Sequence, residues 1–327
     1  MWVERLKGIL RKVPSTNYAI IALVVLFSLI SPVFFSVDNM INIMLQGSVL
    51  AILAFGMTMA IISRGIDLSL GAVASLAGVI CAISIRAGLS IYLAIFNAVL
   101  VGICCGTING TLIGYFRMIP FIATLGMMCI GEGLGLVLSK GGAVPVFHPF
   151  IQNVGGGFLC RLPIPIWVAL LIFLLAYVLL KKTIFGIHIY AIGGNQDAAA
   201  LSGINVVKRK IALYAINGFL ASIAGIVLSG RMYTAHPSGG IGMEFDAVAA
   251  SVIGGTALSG GRGGVTGTVM GVAIVSIIRS GLNIAGLPAS WQMVALGSII
   301  TITIALDSFR RNLEKRWIRG EFTGKDD

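Results

Sequence analysis

Charge is what this chain has least of. Asp, Glu, Lys and Arg together make up 11% of its 327 residues, less than half the share of a soluble globular domain. That shortage excludes an ordinary domain folded in water. Sulfur and imidazole are scarce too. Of five cysteines, Cys81, Cys104, Cys105 and Cys129 lie in apolar segments and Cys160 stands alone in a predicted loop. No disulfide framework and no metal-ligand spacing follows from that placement. The three histidines are scattered singly. A Walker A lysine, a zinc-protease helix and a nucleophile elbow are absent. The glycine run from Gly254 to Gly267 holds Arg262 but lacks the Lys-Ser/Thr ending of a phosphate loop. Neither an enzyme nor a cofactor bound by this chain is expected.

Apolar residues are abundant: 57% of the chain, with mean hydropathy +0.99. These values point to an all-α polytopic membrane protein. Ten apolar segments are expected, at about 17–36, 40–62, 67–86, 90–115, 119–139, 164–181, 210–232, 244–260, 264–284 and 289–307. Several are short or interrupted by glycine, which raises re-entrant geometry for one or two of them. The first run follows Arg5, Lys7, Arg11 and Lys12 and is too long for a signal-peptide core, so it reads as a retained span. Ten segments put 18 basic residues on one side and 5 on the other. The positive-inside rule therefore sets both termini in the cytoplasm. The chain divides into one transmembrane domain over 1–327, with cytoplasmic stretches at 1–16, 182–210 and 308–327. The net charge of +11 is this topology signal, matched to anionic lipid rather than to nucleic acid.

Glycine, 43 residues in all, is patterned. Gly102, Gly106, Gly110 and Gly114 recur every four residues in the fourth segment, and Gly267 and Gly271 repeat the interval in the ninth. Small residues so spaced let helix backbones approach closely inside a bundle. A weak internal similarity joins GIDLSLGAVASLAGVICAI (Gly65–Ile83) to GGRGGVTGTVMGVAIVSII (Gly260–Ile278), and Ile119–Ile130 to Pro288–Ile302. Two halves of five segments suggest an inverted repeat, the arrangement behind alternating access in many transporters.

The longest polar interruption is Lys181–Lys210. Within it, Asn195 can cap a helix, Asp197 suits its first turn, three alanines follow and Gly203 can end it. Such a helix is too short to persist alone in water, so it must dock, with Leu201 and Ile204 as apolar anchors and the alanines letting a groove close around it. Among charges near the membrane, Glu132 lies inside the fifth segment, where an isolated charge is costly. It and Asp67 are candidates for the translocation path or the bundle interior. Arg64 and Asp67 flank one turn and suit an interfacial ion pair or a helix cap; Glu244 and Asp246 suit the start of the eighth segment. One glutamate is no proton relay. A pathway without an internal energy source, together with a docking helix, points to an external motor.

Four stretches carry a resemblance: GIDLSLGAVASLAG at Gly65–Gly78, PFIATLGM at Pro120–Met127, FGIHIYAIGGNQDAAALSGINVVKRK at Phe185–Lys210 and EFDAVAASVIGGTALSGGRGGVTGT at Glu244–Thr268. In this order they resemble the permease subunit of bacterial ABC sugar importers of the ribose, xylose, arabinose and galactose type. The resemblance runs from about Ser36 to Leu306. It implies a multi-pass protein of the bacterial inner membrane, working as a dimer with a second permease copy or paralogue. ABC ATP-binding subunits, carrying ATP and Mg, would sit below it and a periplasmic solute-binding protein above. The stretch Gly194, Asn195, Gln196, Asp197, Ala198, Ala199, Ala200, Leu201, Ser202, Gly203 and Ile204 is similar to the family's coupling helix. Two departures from the family pattern, Arg64 before Gly65 and Glu132 before Gly133, leave the substrate branch open. Related architectures carry autoinducer-2, nucleosides or branched-chain amino acids; GIDLS with LSGGRG favours sugars. A self-contained secondary transporter is the alternative from another class.

Overall fold

A computed structural model describes residues 15–288, 290–295, 297, 298 and 301. The tenth expected segment, the basic residues before Ser15 and the tail at 308–327 lie wholly or mostly outside them. The described chain is mostly helical. Helix α1 (Ser15–Ile30) leads through a 3-10 turn (Pro32–Phe35) to α2 (Val37–Ile62), and then come α3 (Leu70–Arg86), α4 (Ile91–Gly114) and α5 (Pro120–Ser139). A short helix α6 (Pro149–Gly156) precedes α7 (Ile164–Lys182). Then come α8 (Ile184–Gly194), α9 (Gln196–Leu201), α10 (Val206–Met232), α11 (Met243–Ile253) and α12 (Val265–Ile284). Six of these, α2, α4, α5, α7, α10 and α12, are long and apolar enough to cross a membrane.

Helix α2 is the axis. Ser36 caps it, its hydroxyl accepting from Asn39 N at 3.3 Å. From Gly47 to Ile62 every residue is buried, so the helix is enclosed on all sides, as an all-round apolar helix must be in the middle of a bundle. Its neighbours are α12 (Gly47 against Ser276), α10 (Gly56 against Asn217) and α7 (Phe55 and Phe173, ring centroids 5.8 Å apart). Its hydroxyls are satisfied inside the bundle: Thr58 Oγ1 donates to Ser251 Oγ at 3.0 Å and lies 2.6 Å from Thr268 Oγ1.

The four-residue glycine ladder does what its spacing implies. Helices α4 and α10 run antiparallel, with Gly102 against Gly218, Gly106 against Tyr214, Gly110 against Ile211 and Gly114 against Val207. A Cβ at Gly106 would stand 2.0 Å from the Tyr214 carbonyl oxygen, so backbone touches backbone and no larger residue fits. Gly267 and Gly271 likewise lie against the carbonyl oxygens of Gly254 and Ala250, joining α12 to α11.

The eighth expected segment, 244–260, is corrected. Helix α11 covers only Met243–Ile253, about 16 Å at the α-helical rise and half of a bilayer's apolar core. Glycines at positive φ (Gly255, Gly260, Gly261 and Gly263) turn the chain after it, a conformation that a side chain would oppose. The loop 233–242 before α11 folds into the bundle, where Gly240 N donates to Ser75 Oγ at 2.7 Å and Gly240 abuts the Gly71 carbonyl. The N-termini of α3 and α11 therefore meet inside the bundle, and the two short helices run to opposite ends. At the Arg86 end, β1 (Val144–Pro145) pairs with β4 (Thr234–Ala235), and β2 (Phe158–Leu159) pairs with β3 (Leu162–Pro163), Cys160 and Arg161 forming the left-handed turn between the latter two.

Candidate functional site

At the opposite end, where α7 closes on Lys181 and Lys182, the chain leaves the bundle for α8 and α9. Helix α8 has no counterpart among the expected elements, in which 182–194 is connecting chain. Thr183 caps it, and Gly193 packs on the Ile62 carbonyl and on Gly261. Helix α9 forms where the residues suggest. The Asn195 side chain accepts from Asp197 N at 3.0 Å and Ala198 N at 3.1 Å, and Gly203 ends the helix at φ +84.

A staple holds α9 to the bundle. Arg64, itself left-handed at φ 62, donates from Nε to the Ser259 carbonyl at 2.9 Å and from Nη2 to the Gly194 carbonyl at 2.6 Å. Gly261 N donates to the Ile62 carbonyl at 2.8 Å. The ends of α2 and α8 and the 254–264 turn thus form one platform. On it, Ala199 faces inward and is buried, while Leu201 is 90% exposed. Leu201, expected as an apolar anchor, is left uncovered by the rest of the chain. The inward Ala199 is filled by the chain's own packing and offers no surface to a groove, because a six-residue helix needs one face for its support.

Beside α9 lies a cleft of about 530 Å³. It is bounded by the turn between α4 and α5, the first turns of α10, and α9. Arg64, Arg117, Lys210, Gln196 and Asp197 contribute its polar lining. In the sequence Arg117 and Lys210 read only as topology signals; neighbouring positions in a basic run say nothing about which side chain turns into a cleft.

Asp67 sits in the bundle interior, 1% exposed, and is not ion-paired with Arg64. Its carboxylate accepts from Ser69 Oγ at 2.6 Å, Ser69 N at 3.1 Å and Asn217 Nδ2 at 3.0 Å, and Asn109 Nδ2 donates to Ser69 Oγ at 2.9 Å. The carboxylate therefore holds the turn that enters α3 and ties it to α10, while Ser69 ties the same turn to α4. Among the described residues the ion pair is instead Arg279 with Asp246. Glu132 is half-buried on α5 and makes no hydrogen bond to a described residue, and Glu244 is buried with Oε2 unpartnered. Glu244 and Asp246, expected at an outer helix entrance, lie inside the bundle because the 233–242 loop carries them in. Among the described residues no group of three His, Cys, Asp or Glu side chains is placed to hold a metal.

A glycine-packed bundle of six long apolar helices, with a stapled, capped helix at one end, defines a multi-pass membrane protein. Residues 39–304 match the family described as branched-chain amino acid transport system, permease component. The ribose import permease protein RbsC of Haemophilus influenzae is 40% identical over 297 residues, covering 89% of this chain and 91% of that protein. The D-allose transport system permease protein AlsC of Escherichia coli is 35% identical, covering 89% and 90%, and the galactose/methyl galactoside import permease protein MglC of Salmonella typhimurium 36%, covering 89% and 93%. No solved structure matches the chain. The chain belongs to this family of transport permease components, and its relatives are transport subunits rather than enzymes.

Proposed function

We propose that the chain is the membrane-spanning subunit of an ATP-driven importer in the bacterial inner membrane, forming the path for a monosaccharide delivered by a periplasmic binding protein. The observation that carries this reading is 31–40% identity to permease proteins named for ribose import, D-allose transport, L-arabinose ABC transport and galactose import over about nine tenths of the chain. ATP and Mg reside on partner ATP-binding subunits, and a second permease completes the path. Helix α9, with flanking Gly194, Asn195, Ser202, Gly203 and Ile204, docks to the ATPase through Leu201.

In this reading the chain crosses the membrane ten times, the eighth crossing being made by the 233–242 loop and α11 together, with both termini and the Lys182 end in the cytoplasm. The 18-to-5 split of basic residues supports that orientation. Two short helices whose N-termini meet and which run to opposite ends support an inverted repeat. Asp67 anchors the meeting point, and Glu132 borders the path.

The test is a reconstituted system of permease, ATPase and solute-loaded binding protein. Leu201→Asp should leave the permease inserted and the bundle intact, yet lose ATPase co-purification and solute-stimulated ATP hydrolysis. Uptake that survives vanadate and stops with an uncoupler would identify a secondary transporter and defeat the proposal.

A further inference from the structure

We propose that the cleft beside α9 binds the phosphate headgroup of an anionic phospholipid. Its lining sets three basic side chains, Arg64, Arg117 and Lys210, against one acidic side chain, Asp197. Lys210 is 9% exposed, and its ammonium donates only to Gln196 Oε1 at 2.7 Å, a neutral partner. A buried cation without a counter-charge is costly, and a phosphate in the cleft supplies that charge. Arg117 is exposed, fixed in a left-handed turn at φ 55, and makes no ion pair with a described residue. The backbone bond from Met118 N to the Leu112 carbonyl at 3.0 Å closes that turn.

The surroundings decide in favour of a lipid. Tyr115, Phe116 and Ile119, on the same turn as Arg117, are all exposed. Aromatic and apolar side chains beside an arginine at the end of membrane helices belong at headgroup depth. The cleft thus opens where lipid phosphates lie, with Ile113 and Val207 as apolar wall for the glycerol and upper acyl carbons. Basic pockets between membrane helices recognise anionic headgroups in this way. The site shares α9 with the docking surface but does not depend on the docking proposal.

The experiment uses the full-length permease purified in mild detergent, incubated with phosphatidylglycerol or phosphatidylcholine, with retained lipid read by native mass spectrometry. The wild type should retain phosphatidylglycerol and not phosphatidylcholine. Arg117→Gln should lower retention about fivefold, Arg117→Lys should restore most of it, and Lys208→Gln, the same charge change on a residue outside the cleft, should leave it unchanged. Lys210→Met keeps the apolar stem, and its loss should add to that of Arg117→Gln. Equal retention in Arg117→Gln and Lys208→Gln overturns the proposal. So does competition in which inorganic phosphate protects the protein against heat as well as phosphatidylglycerol does, which assigns the cleft to a free anion. Intact lipid retention in Arg117→Gln with loss of the ATPase makes the cleft a socket for a partner carboxylate, and the lipid proposal fails.

Discussion

The guanidinium of Arg64 donates to the carbonyl of Gly194, a residue 130 positions away in the chain. Through that contact and the bond to Ser259, one side chain fixes the exit of α8, and with it the base of α9, to the end of the central helix. Arg64→Lys keeps the charge but lacks the planar fork that reaches two carbonyls at once. Amide exchange across 184–204 should accelerate in this variant while the α2 core stays protected, and the ratio of solute transported to ATP hydrolysed should fall. Unchanged exchange in this stretch would show that packing of Gly193 alone holds the platform.

The glycine ladder makes a sharper claim. Gly106→Ala forces a methyl group into the Tyr214 carbonyl, at a contact between two backbones that has no flexible side chain to yield. Overpacking of this kind costs about 1–3 kcal/mol, so the yield of monodisperse protein and its melting temperature should drop. Gly126→Ala, on α5 where nothing lies within 4 Å, should leave both unchanged in the permease alone. A loss confined to the assembled transporter would mark Gly126 as an interface position.

The tie between Asp67 and Asn217 predicts non-additivity. Asp67→Ala leaves the Asn217 amide without its acceptor in a site closed to water, a penalty of about 1–3 kcal/mol for the stranded group. Asp67→Asn retains one carbonyl oxygen and should be milder. Melting curves of Asp67→Ala, Asn217→Ala and the double variant should give a double variant less destabilised than the sum of the two singles. Strict additivity would mean that the two side chains do not interact in the membrane.

Among the described residues Glu132 has no hydrogen-bonding partner to lose. Glu132→Gln should therefore keep expression intact and leave the melting temperature close to that of the wild type, because the amide keeps the side chain's shape and removes the cost of desolvating a charge. Transport should fall at constant membrane abundance, the outcome that the proposed place of Glu132 beside the solute path requires. A collapse of expression would instead make it half of a structural pair.

Orientation can be read from a native residue. Cys160 is an exposed free thiol in the β2–β3 turn, at the far end of the bundle from α9. An impermeant maleimide applied to spheroplasts should label Cys160 and lose the signal in Cys160→Ser. Leu201→Cys in the Cys160→Ser background should label only after permeabilisation. The reverse pattern would invert the topology.

Which of these features the residues announce depends on how local their causes are. The cap by Asn195, the end at Gly203 and the close approach along α4 are written in residue types at fixed short spacings. The shortness of α11 is not, because its apolar run continues through Ala257 and Leu258, and the glycines that stop it look the same as glycines that pack. Nor is the inward face of Ala199, which is set by what the platform presents rather than by α9 itself. The partners Asp67 and Asn217 are separated by 150 residues, and neither signals the other. A central helix and a lipid-facing one are equally apolar, so nothing in the composition of α2 marks it as the axis.

That last ambiguity has a consequence during synthesis. Helix α2 is made early, whereas α10, α11 and α12, which enclose it, emerge after Val206. At ordinary translation rates α12 follows α2 by roughly 10–40 s. Throughout that interval α2 must be at home among acyl chains, with Thr58 still lacking the Ser251 and Thr268 hydroxyls that later receive it. Its sequence is therefore selected for two solvents in succession, first lipid and then protein. Substitutions at Thr58 or Gly56 can fail at the insertion machinery even when the finished bundle has room for them.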